Sequence, residues 1–366
     1  MNARVPVRVA GRASRAWETV AGSGVAAVLV VDPLDIRWLT GFTGSAGIVV
    51  LGPRPVLVVD GRYGEQAAEE TSASGSSAEV VVAQHGSTVD DEAVRLVSGA
   101  VGFDPAVTTV ARTARWRAAG APALVEVGGF AALRMVKEPD ELARIERAAA
   151  ITDRALALTE VRPGATEEDV RNRLEETMRR EGADGPGYGT IVASGPNSAL
   201  PHHRPTSRDI RLGDAVVIDA GAEVDGYRSD MTRTTGVGAV DPILSSWWEI
   251  VAEAQEAGVA AVRPGATGDD VDRAVRLVLD RHGVGEWFVH GTGHGVGLAI
   301  HEGPWLRRGS IDVLEEGMVV TVEPGLYRRD VGGVRIEDLL VVTRTASRHL
   351  THSPKDAPCP QSAPTT

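Results

Sequence analysis

"VRPGATEEDVRNRLEETMRREG" (Val161–Gly182) returns 101 residues further on as "VRPGATGDDVDRAVRLVLDRHG" (Val262–Gly283), its first six residues unchanged. In each copy a threonine, Thr166 or Thr267, precedes acidic residues and then apolar residues at helical spacing. A threonine hydroxyl can accept from the free N–H groups of a first helical turn, and acids there complement the helix dipole, so both copies read as capped helices. A second echo follows each helix: "GDAVVIDAG" (Gly213–Gly221) matches "GMVVTVEPG" (Gly317–Gly325). Two helix-then-hairpin halves with pseudo-two-fold symmetry are predicted, with Asp219 and Glu323 at equivalent places.

Outward from these echoes lie two acidic hairpins. In "VVIDAGAEVDGYRSDMTRTTG" (Val216–Gly236), Val217 and Asp219 share one strand face and Val216 and Ile218 the other. Asp225-Gly226 suits the turn, which returns Asp230 toward Asp219. In the second hairpin Glu323 is followed by a turn near Asp330–Gly333, and then by Arg335 and Glu337 on a common face. Four clustered carboxylates repel and raise one another's pKa values, and cations relieve this. Four carboxylates and one histidine can hold two divalent metal ions, set about 3.5–4 Å apart. The oxygen-rich donor set favours manganese, with cobalt, iron or zinc as alternatives. Glu223, Asp225 and Asp338 read as solvated turn or strand-edge acids.

"HGTGHGVGLAIHE" (His290–Glu302) holds three of the chain's nine histidines among four glycines. It lacks the H-E-x-x-H pattern of zincins. Its glycines permit close backbone approach and unusual φ values, letting imidazoles converge to ligate metal, contact substrate or move protons. "NSALPHHRPTSRD" (Asn197–Asp209) adds His202 and His203, and spacing alone does not choose between them. His85, His282 and His352 read as surface residues.

The first third has α/β character. "AAVLVV" (Ala26–Val31) and "PVLVVD" (Pro55–Asp60) read as buried strands, "DDEAVRLVS" (Asp90–Ser98) as a short helix and "ASGSS" (Ala73–Ser77) as a loop. A long helix opens in "KEPDELARIERAAAITDRALAL" (Lys137–Leu158), just after a domain boundary. The tail from Ser353 is rich in Pro, Ser and Thr and reads as disordered. A net charge of −12 argues against nucleic-acid and anionic-membrane partners. The single cysteine, Cys359, excludes an internal disulfide and suits a reducing, cytoplasmic location. Only two lysines, Lys137 and Lys355, occur beside many arginines.

Five segments, "ASGPNSALPHHRP", "VVIDAGAEVDGYRSDMTRT", "HGTGHGVGLAIHEGP", "TVEPGLY" and "GGVRIEDLLVVT", resemble the pita-bread metallopeptidases, the group containing methionine aminopeptidase, aminopeptidase P and prolidase. "WLTGFTGSAG" and "VVDGRYGEQA" resemble the N-terminal domain of its Xaa-Pro branch, closer to aminopeptidase P than to prolidase. The resemblance implies a creatinase-like α/β N-terminal domain (1–134) and an α+β pita-bread catalytic domain (135–349), and composition leaves a disordered tail (350–366). It implies metal ligands at Asp219, Asp230, His294, Glu323 and Glu337, with Asp230 and Glu337 bridging. Substrate-site residues fall at His202, His290, His301 and Arg335, which selects His202 over His203, and Glu323 becomes the general base. Asp35 stands where the family more often has asparagine. The implied activity is removal of an N-terminal residue before proline from proline-containing peptides, by a homodimer. An Xaa-Pro dipeptidase is the nearest alternative. A metal-free amidinohydrolase, a peptide-binding module and a hydrolase or lyase acting on a non-peptide substrate are further ones.

Overall fold

The computed structural model describes residues 6–356. By their internal contacts they fall into two units, divided between Arg134 and Met135. In the first unit a six-stranded sheet runs Glu79–Val82, Val56–Val59, Gly47–Leu51, Ala27–Val30, Val101–Phe103, Leu124–Glu126. The predicted apolar runs form its central strands, buried on both faces, with Leu29, Ile48, Val58 and Trp116 in one core. The segment predicted as the loop Ala73–Ser77 is corrected in part. Helix Gly64–Ser74 continues to Ser74 and ends on Gly75, whose φ of 69° is the left-handed conformation glycine tolerates. Asp35 is buried and pairs with Arg134, and the same guanidinium lies 3.8 Å from Asp32. A carboxylate there therefore has a cation to answer it.

In the second unit the duplicated sequence builds duplicated structure. Thr166 and Thr267 each close a capping box, with Asp169 and Asp270, on helices Glu167–Arg180 and Gly268–Arg281. The glycines of "VRPGAT" have φ of 83° and 81°, and each donates a hydrogen bond of 2.9 Å, Gly164 to Ile210 and Gly265 to Leu314. Val170, Leu174 and Met178 pack against Ile151, Val216 and Ile218. Val275, Val278 and Leu279 pack against Trp247, Val251 and Leu326. Truncating one such side chain, as in Leu174→Ala, costs about 2–5 kcal/mol.

The first half contributes an antiparallel sheet of Met231–Gly236, Ala215–Ala220 and Ile191–Ser194. Asp225 and Gly226, with φ of 48° and 77°, make the predicted turn. The second half contributes the sheet Glu302–Leu306, Gly293–Gly295, Val319–Val322, Asp338–Val342, Ser347–His349 and the ribbon Gly325–Arg328/Gly332–Arg335. This unit has the pita-bread architecture, two like halves around a shared centre.

The disordered tail is corrected for residues 350–356. Leu350, Thr351 and Ser353 are buried, and Ser353 accepts from Arg233 through its carbonyl and donates to Asp153. Polar anchoring, not apolar content, holds this segment down. Residues 357–366, with Cys359, lie outside the described residues. Among the described residues no helix is long and apolar enough to cross a membrane.

Candidate metal centre

The two hairpins and the histidine strand meet at the floor of a cavity of about 930 Å³. Asp219, Asp230, His294, Glu323, Glu337, His202, His290, His301 and Arg335 all line it. One ligand atom each from Asp230, His294 and Glu337 lie within 4.8 Å of one another, and all three residues are buried. His294 Nε2 is 3.2 Å from Glu323 Oε1 and 3.6 Å from Asp230 Oδ2. Its Nδ1 lies 3.0 Å from the Gly295 carbonyl, which fixes that nitrogen as the donor and aims Nε2 at the carboxylates.

Secondary contacts hold each acid in place. Thr232 Oγ1 donates to Glu337 at 2.6 Å and accepts from Arg335 Nε at 2.9 Å. Thr321 Oγ1 accepts from the His294 N–H and donates to Glu323 at 3.1 Å, tying the two residues together. Arg335 Nη1 reaches Tyr327 at 2.9 Å and the Pro201 carbonyl, next to His202, at 3.3 Å. His290 Nδ1 lies 2.8 Å from the Gly291 carbonyl, and its Nε2 faces the Tyr327 hydroxyl at 3.1 Å. The His301 ring stands edge-on to His294, centroids 4.4 Å apart. His203 lines the cavity too, with its Nε2 held 2.8 Å from Glu167.

The electrostatics fit a cation. Burial, then the neighbouring acids Asp219 and Glu323, push the Asp230 carboxyl well above its usual range. Burial, then Asp230 and Glu323, do the same to Glu337. Burial would raise Glu323 as well, but the hydrogen bond and charge of His294 pull it down to about 2. Arg335 supplies one positive charge among four acids. Oxygen donors in excess, one imidazole and crowded negative charge are what hard or borderline divalent ions require.

Two sequence expectations change here. None of Gly291, Gly293, Gly295 and Gly297 has a positive φ. Their role is close approach: a Cβ on Gly293 would sit 2.0 Å from the Thr321 carbonyl oxygen, and one on Gly295 2.1 Å from that of Gly303. Asp338 is not a solvated acid. It is 1% exposed and held by Arg233 and Lys355. Asp225, by contrast, occupies its turn and lies 3.4 Å from Arg144.

Tyr188 was not anticipated. Its hydroxyl donates at 2.5 Å to Asp219 and also contacts Asp230. Its only signal is its setting, a lone tyrosine between Gly187 and Gly189 upstream of the first hairpin. Trp305, Arg307 and Arg171 also line the cavity unforeseen.

The metallopeptidase family M24 model matches residues 143–344, and the creatinase/prolidase N-terminal domain model matches residues 12–136. The chain is 40% identical over 341 residues to an uncharacterized peptidase, YqhT, of Bacillus subtilis, covering 91% of this chain and 95% of that protein. It is 42% identical over 226 residues to an Xaa-Pro dipeptidase of Pyrococcus furiosus, covering 61% of this chain and 65% of that one. The solved Xaa-Pro dipeptidase of Bacillus anthracis superposes with a TM-score of 0.91 at 36% identity, covering 96% of this chain and 100% of that chain. The X-Pro aminopeptidase of Thermotoga maritima does so with a TM-score of 0.85 at 31% identity, covering 95% and 99%. The chain therefore belongs to metallopeptidase family M24 and carries that family's creatinase/prolidase N-terminal domain.

Proposed function

We propose that this chain is an Xaa-Pro dipeptidase working with two divalent metal ions, manganese foremost. The observation that carries the reading is the convergence of five donors, Asp219, Asp230, His294, Glu323 and Glu337, beneath a cavity walled by His202, His290, His301 and Arg335. In this reading Asp219, Asp230, His294, Glu323 and Glu337 would hold the ions between them. The bound ions supply Lewis acidity, lowering the pKa of water toward neutrality and polarising the scissile carbonyl.

The chain's own groups do the rest. Glu323 takes the proton of the attacking water and delivers it to the leaving nitrogen, so that water and the peptide bond become a carboxylic acid and an amine. His202 donates to the carbonyl oxygen as it gains charge, a contact typically worth about 2.7–4 kcal/mol. Arg335 seats Pro201 and so the imidazole beside it. His290 and His301 shape the leaving side.

The sequence alone favours an aminopeptidase. The dipeptidase takes precedence because named relatives such as the Pyrococcus furiosus and Bacillus anthracis proteins are Xaa-Pro dipeptidases. Arg171, Arg204 and Arg307 on the cavity lining also offer partners for a free carboxylate close to the scissile bond. The likeness to the Thermotoga maritima aminopeptidase supports the second reading. Hydrolysis of an Xaa-Pro dipeptide, an Xaa-Pro-Xaa tripeptide and an Xaa-Ala dipeptide by manganese-loaded protein separates them. Cleavage confined to the Xaa-Pro dipeptide is expected. Preference for the tripeptide would make it an aminopeptidase, and metal-loaded protein inert to all three would end both readings.

A further inference from the structure

The chain has 38 basic residues, and only Lys137 and Lys355 are lysines. Lys137 Nζ lies 2.8 Å from Glu302 and 3.0 Å from the Met135 carbonyl, its side chain 1% exposed. Lys355 Nζ lies 2.6 Å from Asp338 and 2.8 Å from Gln255, its side chain 28% exposed. Glu302 directly follows His301, and Asp338 directly follows Glu337. Each lysine thus ends on a buried acid one residue after a group of the proposed site.

The geometry behind each pair is specific. Neighbouring residues on a strand face opposite ways, so Asp338 points away from the acid cluster while Glu337 points into it. Arg233 joins the two, donating to Asp338 at 2.7 Å and to the Glu337 carbonyl at 2.5 Å. Lys355 closes the far side of Asp338, with Gln255 bonded to both. On the other strand pair, Glu302 lies opposite Gly295, next to His294, and accepts from the Ala299 N–H at 3.4 Å. A Cβ on Gly297 would lie 3.2 Å from Lys137 Cε. The bare Gly297 thus leaves the space that the Lys137 stem and the Glu302 carboxylate fill.

We infer that Lys137 and Lys355 are positioning residues of the centre. Lys355 fixes the backbone of Glu337 through Asp338, and Lys137 fixes the turn that presents His301 to His294. The C-terminal segment is then part of the metal site's support although it carries no ligand. The inference rests on the proposed function, because it takes Glu337 as a ligand and His301 as a substrate-site group.

The test is titration of the metal-free full-length protein with Mn²⁺ by calorimetry, alongside its thermal midpoint. For Lys355→Met we expect Mn²⁺ affinity to fall about tenfold or more with little change in the metal-free midpoint, and Lys355→Arg to restore it. Should Lys355→Met not fold, Lys355→Gln, which can still hydrogen-bond Asp338, takes its place. Lys137→Met is combined with Glu302→Gln so that the ammonium and the carboxylate charge it faces are removed together. It is expected to lower kcat on the cleaved peptide about tenfold while Mn²⁺ affinity stays within about threefold, since His301 is not a ligand. Wild-type affinity in the Lys355 variants, or a loss that arginine does not restore, overturns the first assignment. An unchanged kcat in the Lys137/Glu302 variant overturns the second. Wild-type protein that takes up no Mn²⁺ would instead refute the metal centre itself.

Discussion

Arg335 Nη2 lies 2.6 Å from Asp219 Oδ2, joining the two halves across 116 positions of chain. The same guanidinium reaches Thr232, Tyr327 and the Pro201 carbonyl. A lysine keeps the charge but cannot present that planar fork. Arg335→Lys is expected to lower kcat/KM about 100-fold, measured by steady-state kinetics at saturating metal. Activity within threefold of wild type would contradict the role given to this residue.

Asp230 is buried among Asp219, Glu323, Glu337 and the Tyr188 hydroxyl, whereas Asp225 lies in a turn facing Arg144. Asp230→Asn removes a candidate bridging ligand and one charge from a crowded cluster. Turnover should drop to background, while the midpoint of the metal-free protein should hold or rise. Asp225→Asn should leave turnover near wild type. Equal losses in the two variants would refute the assignment.

Glu167 is fully buried and accepts from Ser194, at the end of its strand, and from Asn197, His203 and Thr206, in the segment that carries His202. Burial would raise its carboxyl, but hydrogen bonds from Asn197, His203 and Ser194 hold it at about 2, against an ordinary value of 4.5. A depressed acid stabilises the fold above its unfolded pKa and loses that contribution as pH falls through the folded one. The full effect, roughly 3 kcal/mol, is therefore present above about pH 4.5 and gone below about pH 2. Urea midpoints of wild type and Glu167→Gln should differ at neutral pH and converge across that interval. A constant gap would show that the carboxylate is not the cause.

Gly293 precedes His294 where an added Cβ would meet backbone, the Thr321 carbonyl oxygen, at 2.0 Å. Main chain cannot step aside as a flexible side chain can. Gly293→Ala should cost about 3 kcal/mol or more and disturb metal uptake. Gly128→Ala, with nothing within 4 Å of the new carbon, should do neither. Circular dichroism melts with metal analysis compare the two.

Much of this architecture is written locally. The "VRPGAT" repeats, their threonine caps and the Asp225-Gly226 turn depend on residues adjacent in sequence, and periodicity or turn chemistry exposes them. The nine named site residues share one cavity because the duplication pairs Asp219 with Glu323 and each hairpin returns its second acid. What stayed hidden depends on distant partners. Asp338 looks like a strand-edge acid until Arg233, 105 positions away, and Lys355 are folded against it. The segment after His349 looks unable to pack because its anchors are hydrogen bonds to Asp153, Arg233 and Asp338, which composition does not register. Tyr188 carries no pattern of its own. The order of dipeptidase and aminopeptidase rests on the cavity wall and on named relatives, neither of which a motif encodes.

The floor and the wall of the cavity are made of different stuff. The floor includes main chain pressed on main chain at Gly293, where an added Cβ would meet the Thr321 carbonyl oxygen. The wall includes Arg171, Asn172 and Glu175, side chains on the outer surface of one helix. A mutation on the floor is punished at once, while one on the wall alters only what the cavity welcomes.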